Sequence, residues 1–392
     1  MEKRGHGLYS ATMYAAQHES SRRDFLFGTA CALAGLALPP VARANMVGAK
    51  VAIAACAGYG AEVARALAQN FDLLGGLGAL VKGKTVTVKI NLTGSDFRAA
   101  LGRPVGESYM THPATASALA AALVAAGAQR VRFVESTNLR QPLEQTLVAA
   151  GWDVRALQAL GRVELEDTRN LGKGKEYATL KVPGGGHLFD FFELNHAYAE
   201  TDVMVSLCKL KLHETTGVTL TLKNMFGATP NSLYGDDAPS ESATQGRGRL
   251  HEAPGNFDPP GAKEAFNEKR DGGYRIPRIL TDLCGARPIH LGIIDGITTL
   301  NHGEGWWNNS KPQSIVTPHV LICGLNPVAT DAVGTAVMGF AQTRAPRGTA
   351  PFVAGDNHLA LAERAGLGTA DLAQIEVLGV PLEKARGQRF VP

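Results

Sequence analysis

Three consecutive segments constrain this fold more than anything else in the chain. Residues 84–90 read Lys-Thr-Val-Thr-Val-Lys-Ile, an alternating, β-branched run with the period of a strand. Residues 113–126 come next as an Ala- and Leu-rich helix, with Pro113 in its first turn and Gly127 just past its end. Residues 130–135 make a second strand. Strand, helix and strand in that order form a βαβ unit, which requires a parallel pair and a right-handed crossover. A parallel sheet has two apolar faces to cover, so the chain is expected to be three-layer α/β, a mostly parallel sheet with helices on both faces.

The rest of the chain is compatible with that frame. Further strands are expected at 202–207, 289–294, 320–324 and 374–379, and a helix at 142–150 ended by Gly151. Asn326-Pro327 opens another helix running to about Met338, with Asn326 as its N-cap. Between 228 and 274 the order stops in a segment dense in Gly, Pro, Asp, Ser and Arg, which reads as a lid or binding loop, or as a disordered surface insertion. At 392 residues the chain accommodates one large domain or two lobes, 45–227 and 275–392, on either side of that loop.

The first 44 residues read as an address. Ser21-Arg22-Arg23-Asp24-Phe25-Leu26 precedes a short apolar stretch, and Ala42-Arg43-Ala44 supplies a small-x-small cleavage pattern. This resembles a twin-arginine export signal, with Phe27 where such signals often have Lys. The stretch is too short for a stable span, which argues against an uncleaved anchor. The expected partner is therefore the twin-arginine export machinery, the expected location the periplasm, and no stable membrane span is expected after cleavage. The formal charge of +3 comes from 39 basic and 36 acidic residues. The address holds five of the basic ones (Lys3, Arg4, Arg22, Arg23, Arg43) and three of the acidic ones (Glu2, Glu19, Asp24), so the remainder of the chain is about neutral. No nucleic-acid partner is expected from that balance. Of five cysteines none forms a C-x-x-C pair, which excludes a disulfide scaffold, a zinc ribbon and an iron–sulfur cysteine motif. The cofactor and any metal are left unknown.

Chemistry concentrates at 202–227. A strand continuing past Leu207 places Lys209, Lys211 and His213 on one face and Cys208, Leu210 and Leu212 on the other. Two ammonium groups and an imidazole at the C-terminal end of a parallel strand suit an anionic ligand, because open α/β sheets bind ligands there. The competing reading is a solvated edge whose lysines discourage aggregation. Beyond it, Val218, Leu222 and Met225 have helical spacing, with a strand as the alternative, and Gly227 reads as the residue closing the helix. A helix starting near Thr216 offers free amides to the same anion, with Lys223 and Asn224 on its far end. Asn91, His112, Glu135, Asp295, Glu304 and Asp331 are further polar candidates at strand or helix ends, Thr111 being the better cap for the 113–126 helix.

These motifs resemble one family. Lys209-Leu210-Lys211-Leu212-His213, the run 216–227 ending Leu222-Lys223-Asn224-Met225-Phe226-Gly227, Thr111-His112-Pro113, Asp295-Gly296, Gly303-Glu304-Gly305 and the run 326–332 are similar to the domain-of-unknown-function 362 family, in order along the chain. Many of its members carry a ferredoxin-like module with C-x-x-C-x-x-C sets, which this sequence lacks. The layout is also similar in type to the nickel-pincer lactate racemase fold, in which paired histidines and lysines handle a small hydroxy acid. The leading expectation is an exported enzyme acting on a small anionic substrate. Lys209, Lys211 and Lys223, with Asn91, Asn224, Glu304 and Asp331, hold the anion, while His213 or His112 exchanges protons near neutral pH, with Asp295 in the same set. The alternatives are a non-catalytic anion- or metal-binding protein of the cell envelope, and a redox protein whose cofactor is loaded before export.

Overall fold

The computed structural model describes residues 49–94, 96–169, 177–238, 240, 245–252, 257–267, 270–308, 311–386 and 390–392. The twin-arginine segment lies outside them. Eight strands form one sheet: β1 (Ala49–Ala55), β2 (Thr85–Lys89), β3 (Arg130–Glu135), β4 (Val163–Asp167), β5 (Val203–Lys209), β6 (Leu291–Gly296), β7 (Val320–Gly324) and β8 (Ile375–Gly379). Their order across the sheet is β8-β1-β7-β6-β5-β2-β3-β4. Strands from both sides of the 228–274 segment thus share it.

The pair β2 and β3 is parallel, as the βαβ reading requires, and β2 also pairs parallel with β5. Only β7 runs the other way, antiparallel to β6 and to β1. The cause is its connection. A strand must cross over through a helix to lie parallel to its predecessor. Between β6 and β7 the chain instead makes a two-stranded ribbon, Thr299–Asn301 against Ser314–Val316, and returns directly.

Alternation along β5 explains the layers. Val203, Val205 and Leu207 belong to one core, with helix α1 (Glu62–Leu73) and helix α2 (Pro113–Ala125) covering it. Met204 and Cys208 belong to the other core, on the opposite face. There helix α3 (Leu220–Asn224), helix α4 (Gly272–Ala286) and helix α5 (Pro327–Val337) pack. All seven residues of β5 are buried, the signature of a central strand covered on both sides.

Four local expectations need correction. The run after Thr216 does not open a helix: Gly217–Val218 pairs with Leu212–His213, and α3 begins only at Leu220. Leu220 takes a left-handed φ of 46°, a strained turn for a residue with a side chain. The amides it presents are not free for a ligand. Asp331 of α5 takes them, accepting from Thr221 N (2.8 Å), Thr221 Oγ1 (2.6 Å) and Leu222 N (2.9 Å). Gly227 lies inside a 3-10 turn, Met225–Ala228, rather than closing a helix in a left-handed conformation. A Cβ there would stand 2.9 Å from Lys89 Nζ and 3.1 Å from Glu135 Oε1, so close approach excludes a side chain. His112, not Thr111, caps α2, its Nδ1 accepting from Ala114 N at 3.0 Å. The Thr111 hydroxyl is spent on joining Asn91 N to Leu207 O.

In the 228–274 segment, Tyr234, Leu250, Phe257 and Phe266 are buried in the second core. The helix starting at Pro327 with Asn326 as its cap is present, Asn326 Oδ1 accepting from Ala329 N. No helix among the described residues is long and apolar enough to cross a membrane. Asp331 is fully buried, and removing its carboxylate strands two amides in the interior. Asp331→Ala is expected to lower the unfolding free energy by about 2–4 kcal/mol in a urea titration. An unchanged midpoint would show that α3 does not depend on this anchor.

Candidate functional site

Past the C-terminal ends of β2, β3 and β5 lies a cavity of about 90 Å³, lined by Lys89, Lys211, Lys223, Arg247, Glu135 and Glu304 among others. Lys89 and Glu135 are the last residues of adjacent parallel strands, which brings them side by side. Lys89 Nζ stands 2.5 Å from Glu135 Oε1 and donates to Ile90 O at 2.7 Å. Glu135 also accepts from Leu92 N and Ser136 N. Burial pushes the Lys89 ammonium down while Glu135 pulls it back. Both groups are almost without exposure, so this pair is compensated and rigid.

Glu304 arrives from the other side. The ribbon after β6 carries the loop 301–308 over the strand ends, where Trp307 packs on Gly94, whose φ of 96° and missing side chain make the notch. A Cβ on Gly94 would lie 2.6 Å from the Trp307 ring. The Glu304 carboxylate then meets His213 Nε2 at 2.5 Å, and Lys211 Nζ donates to Glu304 O and Tyr109 O, each at 2.8 Å. His213 Nδ1 accepts from Thr215 N (3.1 Å) and Thr216 N (3.3 Å), so the ring proton sits on Nε2. Burial, opposed by Glu304 and assisted by Lys223, pushes this imidazole down to about 4. The neighbouring His213, Lys223 and Lys211 hold the Glu304 carboxyl well below the usual range against the burial that would raise it.

The lysines behave differently. Burial brings Lys211 down to about 7 and Lys223 down to about 8, in both cases against the attraction of Glu304. Lys223 Nζ stands 4.5 Å over the Phe226 ring. Arg247 completes the wall from the 228–274 segment, donating from Nε and Nη2 to Thr229 O and from Nη2 to Ser136 Oγ. Asn224 anchors the floor, its Nδ2 donating to Lys89 O and Ser206 Oγ at 3.0 Å. Four cationic side chains therefore face two carboxylates around a small, largely polar space.

Of the residues expected from the sequence, Lys211, His213, Lys223, Asn224, Asn91 and Glu304 line this cavity. Lys209, His112 and Asp295 do not. The strand ends at Lys209, which breaks the alternation that would have grouped it with Lys211 and His213. Lys209 stays on the face of Val203 and Leu207, where its Nζ donates to Tyr59 OH (2.8 Å) and Asp295 Oδ2 (3.2 Å). Tyr59 OH and Thr115 Oγ1 donate to the same carboxylate, and His112 stacks on the Tyr59 ring at 3.5 Å. Asp331 lies under α3 as described, with burial raising it to about 7. None of the lysines forms a solvated edge: Lys209 and Lys211 are buried. Nor does either histidine titrate near neutrality, since burial, with Lys209 adding to it, also brings His112 down to about 4.

Lys89 and Arg247 were absent from the expected set, and Glu135 was expected only as a polar strand end. Lys89 and Glu135 carried a signal, as charged residues closing neighbouring β-branched strands. Arg247 carried none, for it stands in a run without periodicity. Cys56, Cys208, Cys284 and Cys323 are buried and unpaired, and among the described residues no group of three His, Cys, Asp or Glu side chains is placed to hold a metal.

A three-layer α/β protein with a polar site beyond its parallel strand ends is the class these features define. Residues 86–336 match the family described as "Domain of unknown function (DUF362)", and the chain belongs to it. No curated protein matches the chain. Among solved structures, it is similar to a structural-genomics target from Thermotoga maritima, at 12% identity and a TM-score of 0.35 over 68% of this chain and 55% of that one. It is also similar to the lactate racemase apoprotein from Thermoanaerobacterium thermosaccharolyticum, at 16% identity and a TM-score of 0.35 over 70% and 54% of the two chains. The chain spans about half the length of each, a likeness too distant to carry a site residue across.

His213 also sets an acid response. Its depressed value means that the unfolded chain binds a proton below about 6.5 that the folded one refuses until about 4. Stability is therefore present above pH 6.5 and falls as the pH drops towards 4, by at most about 3 kcal/mol from this residue. The thermal midpoint is expected to decline over that window, and less steeply in His213→Gln. An identical decline in both proteins would contradict the assignment.

Proposed function

We propose that this is an exported enzyme acting on a small anionic substrate held in the cavity beyond β2, β3 and β5. The observation that carries the reading is the surplus of cationic groups, Lys89, Lys211, Lys223 and Arg247 against Glu135 and Glu304, around about 90 Å³. A site with that imbalance and low dielectric walls attracts an anion. Its volume suits a ligand of about three water molecules, the size of a short carboxylic acid. Catalysis, rather than binding alone, is supported by Lys211 and Lys223, whose values of about 7 and about 8 let them exchange protons under working conditions. The twin-arginine pattern at Arg22-Arg23 supports export.

Small carboxylates are expected to raise the thermal midpoint of the full chain in a saturable manner. Lys211→Met should weaken that binding about tenfold, a loss of about 1.4 kcal/mol, while unfolding remains cooperative. Indifference of the wild-type protein to a broad anion panel would sink the proposal. Stabilisation by an anion that the protein never consumes from a metabolite pool would favour the non-catalytic binder.

A further inference from the structure

Around the cavity, three of the four cations are anchored by hydrogen bonds or an ion pair to the protein, with some polar hydrogens to spare. Lys89 is bound to Glu135 and Ile90 O, Lys211 donates to two backbone carbonyls, and Arg247 holds Thr229 O and Ser136 Oγ. Lys223 differs. Among the described residues its Nζ makes no hydrogen bond and no salt bridge; it lies over the face of Phe226, and Glu304 acts on it only through space. It is half-buried where Lys211 is almost fully buried, so a bound molecule can touch it. A lysine desolvated among other cations and held by no hydrogen bond is the setting in which the free amine becomes a nucleophile.

We propose that Lys223 forms an imine with the carbonyl carbon of a small 2-oxo acid whose carboxylate rests on the neighbouring cations. The inference rests on the anion-site reading and names its substrate class. Among the described residues Arg247 Nη1 and the third ammonium hydrogen of Lys211 have no acceptor, and they can hold the carboxylate. The Lys223 amine adds to the carbonyl carbon, forming the C–N bond as the C=O π pair moves to oxygen. That oxygen takes up the protons the nitrogen gives up and leaves as water, which closes the C=N bond. Amine and ketone give imine and water, with no change of oxidation state and no further reactant. Lys223, brought down to about 8, has ~10% of its amine free at pH 7, against well under 1% for an ordinary lysine. The space of about 90 Å³ restricts the acid to the size of glyoxylate or pyruvate.

The test is reductive trapping on the full chain. The protein is incubated with pyruvate or glyoxylate at pH 7, treated with borohydride, and digested for peptide mass spectrometry. The expected result is a reduced adduct on the Lys223 peptide at least tenfold above that on any other lysine. Lys223→Arg, which keeps the charge, should lose the adduct yet still be stabilised by acetate and propionate. An adduct absent from Lys223, or spread over lysines in proportion to their exposure, overturns the proposal. Stabilisation by these acids without an adduct removes the imine and leaves the anion site standing, whereas neither stabilisation nor adduct removes both.

Discussion

The bond between His213 Nε2 and the Glu304 carboxylate is where the site closes. One partner comes from the extension of the central strand, the other from a ribbon that exists because β7 returns without a crossover helix. Two backbone amides on His213 Nδ1 fix the ring's tautomer, which makes Nε2 a donor and Glu304 its acceptor. Lys211 then ties the same loop down through Glu304 O. Without this junction the loop 301–308 would have no polar reason to lie over the strand ends, and the cavity would be an open groove.

Burying so many charges is costly unless each is matched, and the matching is uneven. Lys89 has Glu135; Lys209 has Asp295 and Tyr59 on the opposite side of the sheet. Those pairs are structural in form, and they leave Glu304 as the one cavity carboxylate shared by His213, Lys211 and Lys223. Burial is what lowers the two lysines towards neutrality, and the shortage of negative charge, which leaves that lowering only partly opposed by Glu304, is what an anionic ligand would make good. Site and ligand class come from one imbalance.

Much of the fold was legible because its signals are local. The βαβ unit, the Asn326 cap and the ends of most strands depend on periodicity and cap chemistry within a dozen residues. The reversed direction of β7 was not, since it depends on the path of a ribbon in space. The site was legible in part: Lys211, His213, Lys223, Asn224, Asn91 and Glu304 meet, while Lys209 and Asp295 form a cluster of their own. A period-two reading cannot see where a strand stops, and past Leu210, whose N still donates to Asp295 O, the chain leaves the ladder. The amides of Thr221 and Leu222 looked available only because their acceptor, Asp331, is 110 residues away from Thr221. Arg247 was invisible for the same reason, being placed by the packing of an aperiodic segment.

The central claim is that the cavity is the protein's strongest anion site. Anomalous diffraction from crystals soaked in bromide tests it most directly. The highest bromide peak is expected inside the cavity, within contact distance of Lys211, Lys223 and Arg247. Bromide confined to surface arginines, with the cavity empty of it, would contradict the claim.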